Sequence, residues 1–391
     1  MKSRTKTIVL LTAVILLASV VSGARFPGLF EAQAKPAGQK NEKPGAEALF
    51  QDVLDTPAAR SRHAAKTLLT SVTAAGTRVV AVGQHGHIVY SDNQGKSWTQ
   101  ATVPVSSDLL AVHFPSAQKG WAVGHDGVVL HSSDGGANWS KQFDGRAAAQ
   151  VLVSHYMGTN SCGTCHDPMT TPVSAPGGRE TAEMMAEIRK FVDQGPDKPF
   201  LDVWFESDTT GFIVGAFNLI FRTVDGGKSW TPWYDRIDNP KHFHLYAIRP
   251  VGQDLFITSE QGTVFKLDQA KKRFMALKTS YAGTFFGITG KPGAVIAYGM
   301  RGNAFRSHDG GNNWQKVETG VPVGLMGGTV TEDGKIVLVS QGGHVLVSND
   351  DGTSFSQIKI DRPTPAAGVA AIDKDTLALV GQRGVKVQAI K

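Results

Sequence analysis

The stretch Thr223-Val-Asp-Gly-Gly-Lys-Ser-Trp230 decides the fold, because it recurs. Ser91-Asp-Asn-Gln-Gly-Lys-Ser-Trp98, Ser132-Ser-Asp-Gly-Gly-Ala-Asn-Trp139, Ser307-His-Asp-Gly-Gly-Asn-Asn-Trp314 and Ser348-Asn-Asp-Asp-Gly-Thr-Ser-Phe355 repeat it, and Lys266-Leu-Asp-Gln-Ala-Lys-Lys-Arg-Phe274 is a worn copy. Counted between the first residues of successive boxes, the steps are 41, 91, 43, 41 and 41. A period near 41 residues is one four-stranded propeller blade. Small-residue turns begin at Val82-Gly83, Val123-Gly124, Val214-Gly215, Ser259-Glu260, Tyr298-Gly299, Ser340-Gln341 and Val380-Gly381, which makes seven units. The chain therefore reads as an all-β protein, a seven-bladed β-propeller.

Each unit follows one plan. An inner strand such as Asp108–Phe114 or Phe200–Phe205 precedes a second strand such as Gly120–Gly124, a tight turn, and a third strand such as Gly127–His131. The box forms the next hairpin. Its Asp accepts backbone N–H groups of its own turn, its Gly residues supply positive φ, and its Trp packs on a neighbour. These Asp residues are structural. The seventh unit ends after its third strand, Val385–Ile390, and Phe50–Asp55 resembles the outer strand Phe355–Ile360. The expectation is that this early segment supplies the missing strand and closes the ring, removing an exposed edge.

One step of 91 breaks the period and marks a partly helical insertion over residues 146–199, between the second and third units. It carries the only two cysteines of the chain, in Cys162-Gly-Thr-Cys165-His166. This is the attachment spacing of a c-type haem, in which two thiols bind the vinyl groups and His166 becomes the proximal iron ligand. Met157, Met184, Met185 and His155 are candidates for the sixth position. Two other readings stay open: a disulfide between Cys162 and Cys165, which an oxidising compartment favours, and a zinc site completed by His166 and His155.

Lys2, Arg4 and Lys6 precede an apolar run of 14 residues, Ile8–Val21, with small residues at Ser22, Gly23 and Ala24 and again at Ala32 and Ala34. This is the pattern of a cleaved secretory signal over 1–24, with a later cleavage option near 34. No Cys follows the run, which argues against a lipid anchor. Residues 35–48 read as a flexible linker to a propeller over 49–391. Losing three basic residues lowers the formal charge from +6 to +3, too weak an imbalance to suggest nucleic acid.

The spacing, the Val-Gly turns and the Asp-Gly-Gly-Lys-Ser-Trp boxes resemble the photosystem II assembly and stability factor family, exported propellers of the Asp-box (BNR-like) class. The resemblance covers roughly residues 50–391. It implies a non-catalytic binding, assembly or accessory role for a membrane-protein complex, either photosystem-like or a transporter. It also implies a monomer in the periplasm or thylakoid lumen, with no stable membrane insertion once the signal is removed. A redox role is the alternative if the insertion carries haem. The turns between second and third strands place His85, His125, Asp126, Glu260, Arg301, Gln341 and Arg383 around the mouth of the central channel. The insertion is expected on the same face, as a cap over that polar ring, which makes the rim a candidate docking site. Asp boxes also occur in sialidases, but Arg222 and Arg306 fall in third strands and form no convergent triad with Arg301 or Arg383. No Tyr–Glu nucleophile pair stands out either.

Overall fold

The structure, a computed structural model, describes residues 51–157, 179–360 and 362–390. The leader, the linker and Cys162, Cys165 and His166 lie outside these residues. Two four-stranded sheets come first: β1 (Leu69–Ala75), β2 (Arg78–Gly83), β3 (Ile88–Ser91) and β4 (Thr99–Gln100), then β5 (Leu109–His113), β6 (Gly120–Gly124), β7 (Val129–Ser132) and β8 (Ser140–Phe143). Helices α1 (Gly145–Met157) and α2 (Arg179–Gln194) follow. The next two sheets are β9 (Phe200–Phe205), β10 (Gly211–Gly215), β11 (Ile220–Thr223) and β12 (Thr231–Pro232), then β13 (Ala247–Val251), β14 (Asp254–Thr258), β15 (Thr263–Asp268) and β16 (Arg273–Lys278). β17 (Phe285–Lys291), β18 (Ala294–Gly299), β19 (Ala304–Ser307) and β20 (Gln315–Val317) form another sheet, followed by β21 (Leu325–Val330), β22 (Ile336–Ser340), β23 (Val345–Ser348) and β24 (Ser356–Ile358). The last sheet has three strands, β25 (Ala366–Asp373), β26 (Thr376–Gly381) and β27 (Gly384–Ala389).

Every sheet is an antiparallel meander, and each innermost strand touches the innermost strand on either side. Contact of β25 with β1 completes a ring of seven sheets. The second strands explain the stacking. Gly120–Gly124, Gly211–Gly215 and Ile336–Ser340 are buried along their whole length, because a sheet packs on each face. This is why they read as continuous apolar runs and not as alternating ones.

The boxes behave as their chemistry requires. The Ser132 hydroxyl donates to Asp134 Oδ1 at 2.8 Å and accepts the Gly136 N–H at 2.9 Å, while Asp134 Oδ1 accepts the Asn138 N–H at 3.0 Å. The same pattern holds around Asp225, Asp309 and Asp350, and Asn93 takes the Asp role in the first copy. The Ser354 hydroxyl and N–H hold the Asp350 carboxylate down at about 2. Each box aromatic then plugs the wedge against the preceding sheet: Trp139 joins the cluster of β2 and β6, Trp230 that of β6 and β10, and Trp314 that of β14 and β18.

Closure of the ring differs from the sequence expectation. Among the described residues no strand is added to β27, and residues 51–55 lie elsewhere. Leu54 is buried with Val80, Val103 and Val105, between the first two sheets. The Ser106 N–H donates to the Val53 carbonyl at 2.9 Å. Charge explains the choice. Asp55 is 3.0 Å from Lys141 and 3.0 Å from Arg146, both on the β5–β8 side and both also 3.2 Å from Asp144, so the segment joins a cluster of alternating charges there. The ring closes instead by packing of Leu69, Val72, Val79 and Ala81 on Ala370, Ala378 and Val380. Gly95 of the first box lies directly against Val387 on β27.

Sequence numbering by repeat put the insertion between the second and third units; the strands locate it without a count, between β8 and β9. Asp144 caps α1, its Oδ1 accepting the N–H groups of Arg146 at 3.0 Å and Ala147 at 3.2 Å. Ala148 and Leu152 of α1 and Ile188 and Phe191 of α2 join Phe143, Phe200, Leu219 and Phe221 in one apolar cluster. The described helices thus seat on the wedge between two sheets, with α1 reaching the outer strand β12. An amphipathic helix pair goes where apolar surface is available, here the wedge; the expected cap across the channel mouth falls in part on residues 158–178, outside the described residues.

The box hydroxyls link turn to sheet, so Ser132→Ala should lower stability by about 1–2 kcal/mol in urea unfolding, the cost of stranding a buried N–H and loosening the Asp134 turn.

Candidate functional site: the rim turns and an aromatic ladder

The turns between second and third strands are tight and left-handed. His85, Asp126, Phe217, Gln261 and Arg301 have φ between 51° and 58°, each followed by a further positive-φ residue. Such turns match the twist of the strands they join. Gly127 shows the constraint: its φ is 64°, and a Cβ there would sit 2.7 Å from Gly145 at the root of α1. That contact puts the insertion on the face of the rim turns, as the sequence predicts.

The structure brings few of the predicted rim residues together. The His85 N–H donates to Asp108 Oδ1 at 2.7 Å. Glu260 accepts the His244 N–H at 3.2 Å and lies 3.4 Å from its ring nitrogen. His125 and Asp126 stay on their own turn, and Arg301, Gln341 and Arg383 are exposed on three different sheets. Among the described residues no group of three metal-ligating side chains occurs. The third-strand Arg222 faces the Phe212 and Trp233 rings, and Arg306 donates to the Asp351 carbonyl at 2.7 Å, so no arginine triad converges.

What the rim does assemble is aromatic. Phe217 sits at the turn position that holds His85, Asp126, Gln261 or Arg301 in other repeats, and 45% of it is exposed. The hairpin twist imposes this left-handed conformation at each of these positions, and a bulky aromatic bears it at greater cost than glycine would. Its ring centroid is 4.6 Å from His244, which is 6.1 Å from Tyr246, which is 5.8 Å from Phe286. The ladder therefore runs from the rim of the β9–β12 sheet across the next two inner strands. Burial lowers the His244 pKa against the pull of Glu260, favouring the neutral ring. Burial and Glu260 push Tyr246 up to about 12. Beside Phe217, a cavity of about 340 Å³ opens between the insertion and the turn, lined by Leu152, Ile188, Phe191, Lys198 and Tyr234.

Backbone irregularity aims the deeper rungs. β1, β5, β9, β17, β21 and β25 each carry a one-residue register shift near their start, at Thr70, Leu110, Leu201, Phe286, Met326 and Ala367. Bulges re-aim a side chain out of the alternating pattern. All six residues are partly exposed, whereas the residue before each is buried. Neither the bulges nor the ladder emerged from the repeat analysis. An aligned set of turn positions would have revealed Phe217 as the one aromatic among polar residues.

Deeper in the ring, Asp202 on β9 is buried and accepts the Ile248 N–H at 2.7 Å, the Val203 N–H at 2.9 Å and the Arg249 guanidinium. Burial raises its pKa, while Arg249 and the two N–H groups draw it back. His113 on β5 is largely surrounded by protein. Burial, aided by Arg249, lowers its pKa to about 3, and its Nδ1 accepts the Phe205 N–H at 3.2 Å. These groups bridge neighbouring inner strands and serve the ring.

Of the haem-related candidates, Met184 and Met185 are partly buried against the apolar cluster beneath the helices. His155 packs edge-on to Tyr156 at 4.7 Å, with its pKa lowered by burial. Tyr156 in turn donates to Asp235 at 2.6 Å, tying α1 to the segment after β12. The side chain of Met157 lies outside the described residues.

Fold and rim together define a propeller scaffold with an exposed aromatic on one rim turn beside the inserted helices. The family model for the photosynthesis system II assembly factor YCF48 matches residues 90–154 and 182–340, and the chain belongs to that family. The unmatched interval between these spans holds the Cys-x-x-Cys-His segment. The chain is 29% identical over 123 residues to the photosystem II assembly lipoprotein Ycf48 of Synechococcus sp. (strain CC9902), a match spanning 30% of this chain and 37% of that relative. In structure it resembles a YCF48 solved with a D1 peptide, with a TM-score of 0.58, 15% identity and coverage of 84% of this chain and 94% of that one. YCF48 from Cyanidioschyzon merolae gives a TM-score of 0.56 at 13% identity, covering 85% of this chain and 98% of the other. At these identities the structural likeness establishes the fold alone.

His113 yields a pH prediction. Its folded pKa lies below the ordinary 6.5, so the folded state binds fewer protons than the unfolded one between those values. The stability that neutral His113 contributes is complete above pH 6.5 and is lost as pH falls toward 3, by at most about 1.4 kcal/mol per unit. Urea unfolding across this range should show a shallower pH dependence for His113→Gln than for the unaltered protein.

Proposed function

We propose that this protein is a non-catalytic, exported binding factor that docks an extended segment of a membrane-protein subunit on its rim face. The observation that carries this reading is Phe217, exposed, backbone-strained and heading an aromatic ladder beside the inserted helices. Aromatic side chains with partly polar surroundings anchor interfaces at low entropic cost. Family membership supports an assembly role, and a structural relative was solved with a D1 peptide. Among the described residues no helix is long and apolar enough to cross a membrane, so attachment to a complex would run through this face or through the leader. Phe217→Ser should leave thermal unfolding essentially unchanged while reducing co-purification of the client from solubilised host membranes by about tenfold or more, the scale of a lost hot spot. Val224→Ser, at the far end of the strands, should leave co-purification intact. Equal retention by Phe217→Ser would contradict the proposal.

A second reading rests on the sequence pattern: covalent haem at Cys162 and Cys165 with His166 as proximal ligand, making the insertion a redox attachment on a binding scaffold. Covalent thioethers survive denaturation. Protein matured in an exporting host should therefore retain a Soret band and a haem stain on a denaturing gel, and Cys162→Ser should weaken both. A colourless protein with an oxidised Cys162–Cys165 pair would replace haem with a disulfide.

A further inference from the structure

The wedges between sheets are not all filled alike. Where a box ends in Trp, the indole fills the gap to the preceding sheet. The wedge between β9–β12 and β13–β16 has only the worn box, which ends in Phe274. Phe274 is drawn inward among Phe212, Trp233 and Ile237, and its N–H donates to the Arg236 carbonyl at 2.9 Å. The space left outside it is a cleft of about 580 Å³, within the range of small-ligand sites.

The lining combines flat apolar faces with cations that lack partners. Trp204, Phe212 and Trp233 supply the faces, and Arg222, Arg236 and Lys272 the charges. The Arg222 guanidinium lies 5.8 Å from the Phe212 centroid and 5.5 Å from that of Trp233, and Arg236 lies 5.4 Å from the same indole. Among the described residues, none of the three cations has a carboxylate partner or a side-chain hydrogen bond. By contrast, Arg78, Arg146 and Arg249 are paired with Asp92, Asp55 and Asp202. Two guanidinium groups on one indole repel each other unless an anion joins them. Two carboxylates also line the cleft, but Asp254 is taken by Lys266 at 2.8 Å and Glu206 is exposed.

We propose that this cleft binds a small organic anion: a carboxylate on a flat apolar body. The arginines take the carboxylate through their planar forks, and the indole faces take the body. The first-to-second hairpin at Gly252 and the box turn at Val224 line the cleft, at the opposite end of the strands from the rim turns. The site is therefore separate from the proposed docking face and independent of that reading.

The test is calorimetric titration of the purified protein with 2-naphthoate, its neutral analogue 2-naphthalenemethanol, and inorganic phosphate. The expected result is one saturable site for 2-naphthoate, binding of the alcohol weaker by about tenfold or more, and neither binding nor competition by phosphate. Arg222→Gln and Arg236→Gln should each weaken 2-naphthoate by about tenfold, and the double variant should abolish it. The exposed Lys272→Gln variant should weaken it less, and serves as the check should an arginine variant fold poorly. No binding of 2-naphthoate, unaltered binding in the double variant, or equal affinity for the alcohol would overturn the proposal. Competition by phosphate would show that the cleft reads charge alone, which overturns the organic class.

Discussion

The burial of second strands on both faces governs this molecule. A sheet buried on one face tolerates a polar side, but each sheet here must meet a neighbour on either side. The sheets splay outward, so every pair leaves a wedge that something must fill. Box aromatics fill most of these wedges, and the Asp-centred turn behind each one holds it in place. The ring can then close without exchanging a strand, because β25 and β1 pack as any other neighbouring pair does. The three-stranded last sheet follows from the same logic: wedge packing closes the ring, with Gly95 of the first box against Val387, which stays partly exposed.

Departures from that pattern collect on a few neighbouring sheets. The wedge between β5–β8 and β9–β12 extends upward into α1 and α2, with Leu152 and Phe191 continuing the cluster of Phe143 and Phe221. The adjacent rim turn carries Phe217 where its equivalents are polar. The next wedge has lost its box Trp and opens as a cleft at the other end of the strands. A repeat protein acquires function where a unit stops behaving like a unit, and here those places are contiguous. The regular sheets β17–β20 and β21–β24 carry no such irregularity apart from Phe286, which completes the ladder.

Much of this was legible in the chain. The box has a defined job for each residue, so its recurrence near a period of 41 specifies sheet count, hairpin positions and the face of the insertion. What escaped was decided by long-range partners. Phe50–Asp55 has the pattern of an outer strand, but pattern carries no information about Lys141 and Arg146, which hold Asp55 on the other side of the first sheet. The insertion reads as amphipathic helix, yet the apolar patch that receives it is assembled from β8, β9, β11 and the turn before β11. Phe217 carries no polar signal of its own, and its polar neighbour Asn218 is buried and donates to the Tyr234 carbonyl at 3.3 Å. The polar rim residues do not converge, because seven-fold spacing keeps equivalent positions apart.

Cross-linking mass spectrometry of the protein bound to membranes of its own host tests the central claim most directly, since lysines mark both ends of the strands. Lys190 on α2 and Lys241 beside the ladder are exposed on the recognition side, and Lys96 and Lys374 are exposed at the opposite end. The account predicts client cross-links from Lys190 and Lys241, with none enriched at Lys96 or Lys374. Cross-links concentrated at Lys96 and Lys374 would show that the client approaches from the wrong end and would contradict it.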